Sequence, residues 1–159
     1  LPHLIQMLSD DDPKIRQAAA SALGIFGDRQ TVPHLIQTLD TDPNPSVRKA
    51  AAQSLGKLQD PQAVEPLALT LETDLNSDVR KSAAYALANI PDPRAVTALT
   101  HNAQENLDIS SRIAAADALR RLAIAHPDTI LALPITDRHN AERLALQHLH
   151  EQLQQALCN

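Results

Sequence analysis

Tryptophan is missing from this chain, and its only aromatic residues are Phe26 and Tyr85. Glycine occurs three times and cysteine once, at Cys158. Each shortage excludes something. Strands favour aromatic and β-branched residues, so a sequence in which alanine and leucine dominate is poor material for a sheet and good material for close-packed helices. A single cysteine rules out an intramolecular disulfide and gives no sign of an oxidising compartment. No stretch approaches the roughly 18 consecutive apolar residues of a membrane span, so a cytoplasmic protein without membrane contact is expected. Positive charge is short as well. Fourteen Lys and Arg stand against nineteen Asp and Glu, a net charge of −5, and no generic attraction to a polyanion follows.

What is present is repetition. LPHLIQML at residues 1–8 returns as VPHLIQTL at 32–39. Arg16, Arg48, Arg80 and Arg112 lie 32 residues apart, and Leu23, Leu55, Leu87 and Leu119 keep the same interval. Asp10, Asp42 and Asp74 each precede their arginine by six residues, with Asn106 in the fourth place. Such a period marks stacked supersecondary units, and the 159 residues read as one domain.

Each unit reads as two helices. Ile15, Ala18, Ala19, Ala22, Leu23 and Phe26 form an apolar stripe at helical spacing in the first unit. Its counterparts are Val47, Ala50, Ala51, Ser54, Leu55 and Leu58, then Val79, Ser82, Ala83, Ala86, Leu87 and Ile90, then Ala114, Ala115, Ala118, Leu119 and Leu122. Asp12-Pro13 and Asn44-Pro45 are N-caps followed by proline at the first helical position, and Asn76 and Asp108 hold the same cap position. Asp28, Asp60-Pro61 and Asp92-Pro93 open the second helices. These bury Val32, Leu35, Ile36 and Leu39, then Val64, Leu67, Ala68 and Leu71, then Val96, Leu99 and Ala103. Pro33 and Pro66 fall slightly inside and predict a mild bend.

The pattern D-x-x-x-V-R-x-x-A-A-x-A-L-G, a D-P turn and A-V-x-x-L is clearest in DPNPSVRKAAAQSLGKLQDPQAVEPLALTL at 42–71. It resembles the HEAT repeat, and within it the short form seen in phycobilin-lyase-type repeats. The resemblance covers residues 1 to about 125 and implies an all-α solenoid of antiparallel helix pairs. Residues 1–8 then form the second helix of a unit whose first helix is missing, so a longer parent protein is expected. Units at about 12–40, 44–72, 76–104 and 108–126 complete an array over residues 1–126. Residues 127–159 read as a degenerate end: PDTILALP as a shortened helix, then a helix capped near Thr136 or Asn140. Its Leu144, Leu146, Leu149, Leu153 and Leu157 are expected inward, with Arg143, Gln147, Glu151 and Gln154 outward. This helix is expected to cap the array, the alternative being a partner-binding amphipathic helix.

Catalytic chemistry finds no foothold. Cys158 is penultimate, with no fixed geometry against a base. No nucleophile elbow or phosphate-binding glycine loop is present. His148 and His150 point to opposite sides of a helix, and the recurring His3 and His34 bring no acidic or cysteine partner, so neither metal nor cofactor is expected. Iron enzymes built on HEAT repeats use four His-Glu pairs, whereas this chain has one, His150-Glu151. Acidic inter-repeat turns argue against nucleic acid. By the resemblance, Asp10, Arg16, Asp42, Arg48, Asp74, Arg80 and Arg112 form a structural ladder between units.

The resemblance also makes the second helices the lining of a concave face. Gln6, Gln37, Leu69 and His101 share one register position there, and Met7, Thr38, Thr70 and Asn102 the next. This uncharged, variable row suits a protein partner, so a non-enzymatic scaffold or adaptor is expected. The alternative is a relative of the phycobilin lyases or of a phycobilisome-turnover protein. Leu1, Leu4, Ile5 and Leu8 expose an apolar stripe through which the chain is expected to self-associate.

Overall fold

The computed structural model describes residues 1–106 and 108–157, excluding the side chains of residues 135, 149, 151–153 and 155–157. The expectations for Cys158 and for the side chains of Leu149, Glu151, Leu153 and Leu157 lie outside the described residues.

Every described element is helical: α1 (Pro2–Gln6), α2 (Pro13–Phe26), α3 (Val32–Thr41), α4 (Pro45–Leu58), α5 (Val64–Thr73), α6 (Ser77–Ala88), α7 (Pro93–Glu105), α8 (Ile109–Ala125), α9 (Pro127–Leu131) and α10 (Ile135–Leu157). Single 3-10 turns follow α1 and precede α3 and α5. The first helices α2, α4, α6 and α8 stack side by side, while α3 packs on α4, α5 on α6 and α7 on α8. The result is an α-solenoid, and α10 lies across α8 and α7 at its end.

The caps explain where the helices begin. Asp12 accepts the Lys14 N–H at 2.8 Å, Asn44 that of Ser46, Asn76 those of Asp78 and Val79, and Asp108 that of Ser111. Asp28 and Asp60 cap the 3-10 turns, and Asp92 caps α7 directly. Those turns change the reading of Pro33 and Pro66. They are the second and third residues of α3 and α5, inside the first turn, where an N–H has no intrahelical partner to lose. The expected cause of a bend is therefore gone. The last helix also starts earlier than expected. It begins at Ile135, its first turn closed by the Arg138 N–H on the Pro134 carbonyl, so neither Thr136 nor Asn140 is its cap.

The core follows the stripes of the second, third and fourth units, which are buried throughout. The first unit departs from expectation. Ala18 is exposed, Ile15 and Ala22 are half-buried, and Phe26 is 65% exposed. The helices α4, α6 and α8 each have a first helix before them, whereas among the described residues α2 has a first-helix neighbour only in α4. Leu1, Leu4, Ile5 and Leu8 are half-buried, packed against the edge of the core. In α10 the inward positions are Ala141, Ala145 and His148, with Leu144 half-buried, and Leu146 points outward at 66% exposure.

Close approach of the first helices depends on residues without bulk. Gly24 sits directly against Ser54, whose Oγ donates to the Ala20 carbonyl at 2.8 Å. A Cβ at Gly56 would lie 2.7 Å from the Ala86 Cα and 2.9 Å from its Cβ. Backbone there cannot step aside as a side chain can.

This generates a first prediction. In an open helix, Gly→Ala stabilises by about 1 kcal/mol, whereas overpacking costs about 1–3 kcal/mol. Gly56→Ala is expected to lower the urea midpoint; a raised midpoint would show that the two helices separate freely.

Candidate functional site

The side chains that recur with the repeat come together at the turns between units. Arg16 forks onto Asp42, with Nε on Oδ2 at 2.7 Å and Nη2 on Oδ1 at 3.0 Å, while its Nη1 donates to the Asp10 carbonyl at 2.9 Å. Arg48 repeats this on Asp74, at 2.8 and 3.0 Å, and on the Asp42 carbonyl at 2.9 Å. The aspartate six residues before each arginine thus supplies a backbone oxygen. The carboxylate comes from 26 residues further on, because each first helix reaches across to the turn that follows its own second helix.

Further along, the pattern changes with the sequence. Where Asn106 replaces the aspartate, Arg80 turns to Ser111 Oγ at 2.8 Å and Asp108 Oδ2 at 3.0 Å. Among the described residues Arg112 keeps only the backbone bond, to the Asn106 carbonyl at 3.1 Å. Ser111 and Asp108 were not legible as partners, since neither occupies the aspartate register.

Electrostatics follow from these contacts. Burial alone would raise the Asp42 and Asp74 carboxyls. The arginine fork, the Asn44 or Asn76 N–H and the charges of the flanking arginines outweigh it and hold both below the ordinary carboxylate range. The Ser111 hydroxyl and N–H, followed by Arg80, hold Asp108 well below that range too.

A second polar cluster lies near the end of the array and has no counterpart in earlier units. Buried Asp117 accepts Arg120 Nη2 and Arg121 Nε, both at 2.8 Å, and His148 Nε2 of α10 stands 3.9 Å away. Arg121 also covers the Tyr85 ring at 4.5 Å. Burial raises the Asp117 carboxyl, but its hydrogen bonds to Arg120 and Arg121 carry it below its usual value. The sequence held a hint. Ser21, Gln53 and Tyr85 occupy this register, and the acid that replaces them is followed by arginines three and four positions later, the spacing of one helix face.

The face of the second helices splits the expected row in two. Gln6, Gln37, Leu69 and His101 are exposed, one on each of α1, α3, α5 and α7. The adjoining position turns inward. Thr38 and Asn102 are buried, and Met7 and Thr70 are half-buried. One residue is a step of about 100° around a helix, enough to cross from surface to core. Thr38 and Thr70 spend their hydroxyls on carbonyls of their own helices, those of His34 and Pro66, and Asn102 gives its amide to Ala98.

Between α3 and α5 the surface opens into a groove of about 960 Å³. Pro33, Ile36, Gln37, Pro66, Leu69 and Leu75 line it, and Arg48 with Asp42 and Asp74 borders it. Leu69 is 56% exposed and Leu75 97%. Among the described residues no cluster of three metal-ligating side chains occurs, and no helix is long and apolar enough to cross a membrane.

A family profile described as HEAT repeats matches residues 1–84 and again 32–120. No curated protein matches the sequence. Among solved structures, the complex of CpcE and CpcF of phycocyanin lyase from Nostoc sp. PCC7120 contains a similar chain, 26% identical with a TM-score of 0.63. The match covers 94% of this chain and 65% of that one, so the present chain spans less than two thirds of its relative's length. Human deoxyhypusine hydroxylase in complex with glycerol aligns over 93% of this chain and 83% of its own at 16% identity. Its TM-score of 0.38 is too low to carry weight.

Two predictions follow from the arginine network. Arg48→Ala leaves Asp74 without its guanidinium in a nearly closed site, and is expected to cost about 2–4 kcal/mol, between the values for exposed and buried pairs. Arg48→Lys, with no planar fork, restores only part of this in the same urea titration. The pH dependence has a definite sign. Unfolded aspartates titrate near about 3.9 and these folded ones lower, so their stabilisation is complete above that value and lost as pH falls through the folded pKa. The melting temperature is expected to fall steeply below about pH 4. Asp74→Asn should lower it at pH 6 and flatten the acid limb.

Proposed function

Since the chain belongs to the HEAT-repeat family, we propose that it acts as a non-enzymatic scaffold or adaptor module holding a protein partner against the exposed face of its second helices. The groove between α3 and α5 carries this reading. It is open, with Pro33, Ile36, Pro66, Leu69 and Leu75 as an apolar strip bordered by charged residues, and it is built on helices packed against the repeat core. Exposed Leu69 and Leu75 supply the buried area a partner side chain would gain, and Gln37 and His101 extend the surface to either side. Asp11, Asp12, Asp40, Glu72 and Asp78, all exposed, steer towards a partner with a basic surface. In the same reading residues 1–126 are the array and α10 is its terminal cap, which leaves the second-helix face as the working surface.

The second reading is a subunit or relative of a phycobilin lyase, favoured by the likeness to the phycocyanin lyase complex. The chemistry of the groove supports the first. A conjugated tetrapyrrole is gripped by aromatic rings and cations, whereas the groove lining has no aromatic residue and its Arg48 is forked onto Asp74. Tyr85 lies under Arg121, outside the groove.

Affinity capture from the native source, with visible absorbance recorded on the eluate, tests both. The scaffold reading expects a defined, colourless partner. Leu69→Asp should lower its affinity roughly thirtyfold, a loss on the order of 2 kcal/mol at the centre of an interface, with the melting temperature unchanged. A bilin absorption band co-eluting with the chain would shift the assignment to the lyase reading, and a partner indifferent to Leu69→Asp would remove the groove from either.

A further inference from the structure

The joint between α8 and α10 departs from the repeat at its arginine. Arg112 keeps the bond that aims its register mates: Nη1 donates to the Asn106 carbonyl, as Arg16 does to that of Asp10 and Arg48 to that of Asp42. The carboxylate is what changes. Arg16 and Arg48 take theirs 26 residues on, at Asp42 and Asp74. The same step from Arg112 reaches Arg138, whose own Nη2 donates to the Leu131 and Leu133 carbonyls. Among the described residues no carboxylate meets Arg112, and its side chain is only half-buried.

The helix α10 packs on this joint without closing it. Ala20, Ala52 and Ala84 are buried at the matching place in the earlier joints, whereas Ala116 is half-buried. A recess of about 320 Å³ remains, lined by Ile109, Arg112, Ile113, Ala116, Leu144 and His148 among others. Arg112 and His148 are its ionisable side chains, and none of the lining residues is acidic. Ile109 and Ile113 are 63% and 55% exposed. Ile113 stands where the earlier units carry Gln17, Lys49 and Lys81, so an apolar side chain has replaced polar ones beside the arginine.

We propose that this recess takes an acidic turn of the form Asp-x-Asn from a partner protein, its aspartate forked onto Arg112 and its flanking apolar side chains covering Ile109 and Ile113. The internal joints specify the turn. Thr-Asp-Pro-Asn at 41–44 and Thr-Asp-Leu-Asn at 73–76 each tie one carboxylate oxygen to the Asn N–H, at 2.9 and 2.8 Å, and offer both oxygens to the arginine. The volume lies at the low end for ligand pockets, room for a carboxylate side chain and adjoining backbone. A small free acid would satisfy the guanidinium but leave both isoleucines in water, which favours a polypeptide. This site is separate from the groove between α3 and α5, and the proposal stands without it.

The test titrates the whole chain with an acetylated and amidated peptide of the sequence 73–77, TDLNS, whose aspartate is its only acid, and records backbone amide shifts. Saturable shifts are expected at Ile109, Ile113 and Leu144. Binding should be about tenfold weaker for the peptide carrying Asp74→Asn, as for loss of a charge-assisted fork. Arg112→Gln in the chain should weaken it by the same factor, and Arg112→Lys by less. The urea midpoint of Arg112→Gln should stay close to that of the parent chain, since only one backbone bond is lost. Absence of saturable binding, indifference to these substitutions, or shifts confined to the α3–α5 groove would overturn the proposal. Isobutyrate binding at the same residues as tightly as the peptide would overturn it too, because a free acid would then be the occupant. So would a fall in the midpoint as large as that of Arg48→Ala, which would mean that Arg112 already holds a carboxylate of its own chain.

Discussion

In the first two units one arginine, Arg16 or Arg48, joins three parts of the chain that sequence keeps far apart. Its fork takes a carboxylate from the turn beyond its own second helix, and its remaining amino group takes a carbonyl from the turn before its own helix. Both turns are thereby fixed to the same first helix, and the two helices of a pair cannot drift relative to the neighbouring pair. The aspartate also closes a local turn through the N–H two residues on, so the acceptor is held in place before the arginine arrives. A buried ion pair often contributes little over an apolar substitute. Here it is satisfied by several further bonds and recurs with the repeat, which makes it a register device as much as a source of stability.

With the turns held, small residues decide the spacing. Gly24, Gly56, Ser54 and Ala86 bring the first helices into near backbone contact. The second helices carry leucine, valine and isoleucine on their buried sides, and leave the groove between α3 and α5. The groove therefore comes from a difference in side-chain volume between the two layers. The same arginine stands at its border, with Asp42 and Asp74 on either side of it.

The two ends of the array differ. At one, among the described residues, no first helix packs on the repeated stripe of α2. At the other, α10 packs on α8, and Asp117, at a position where earlier units carry Ser21, Gln53 and Tyr85, gathers Arg120, Arg121 and His148. This departure from the repeat accompanies the change of neighbour, from another first helix to α10.

Period, caps and apolar stripes determined much by themselves: helices α2, α4, α6, α7 and α8 begin where capping residues announce them, α3 and α5 one 3-10 turn later, and the stripes of α4, α6 and α8 are core. Those features act within one or two helical turns, so local order along the chain encodes them. Other features needed the tertiary structure, because they depend on what lies across a joint. Phe26 has the pattern of a core residue and is 65% exposed, because among the described residues no first helix packs on that side of α2. Thr38 and Asn102 look like surface residues, yet lie one helical step inside it. The arginine's carboxylate is 26 residues away rather than six, a choice made by the reach of a side chain between packed helices and invisible to spacing alone.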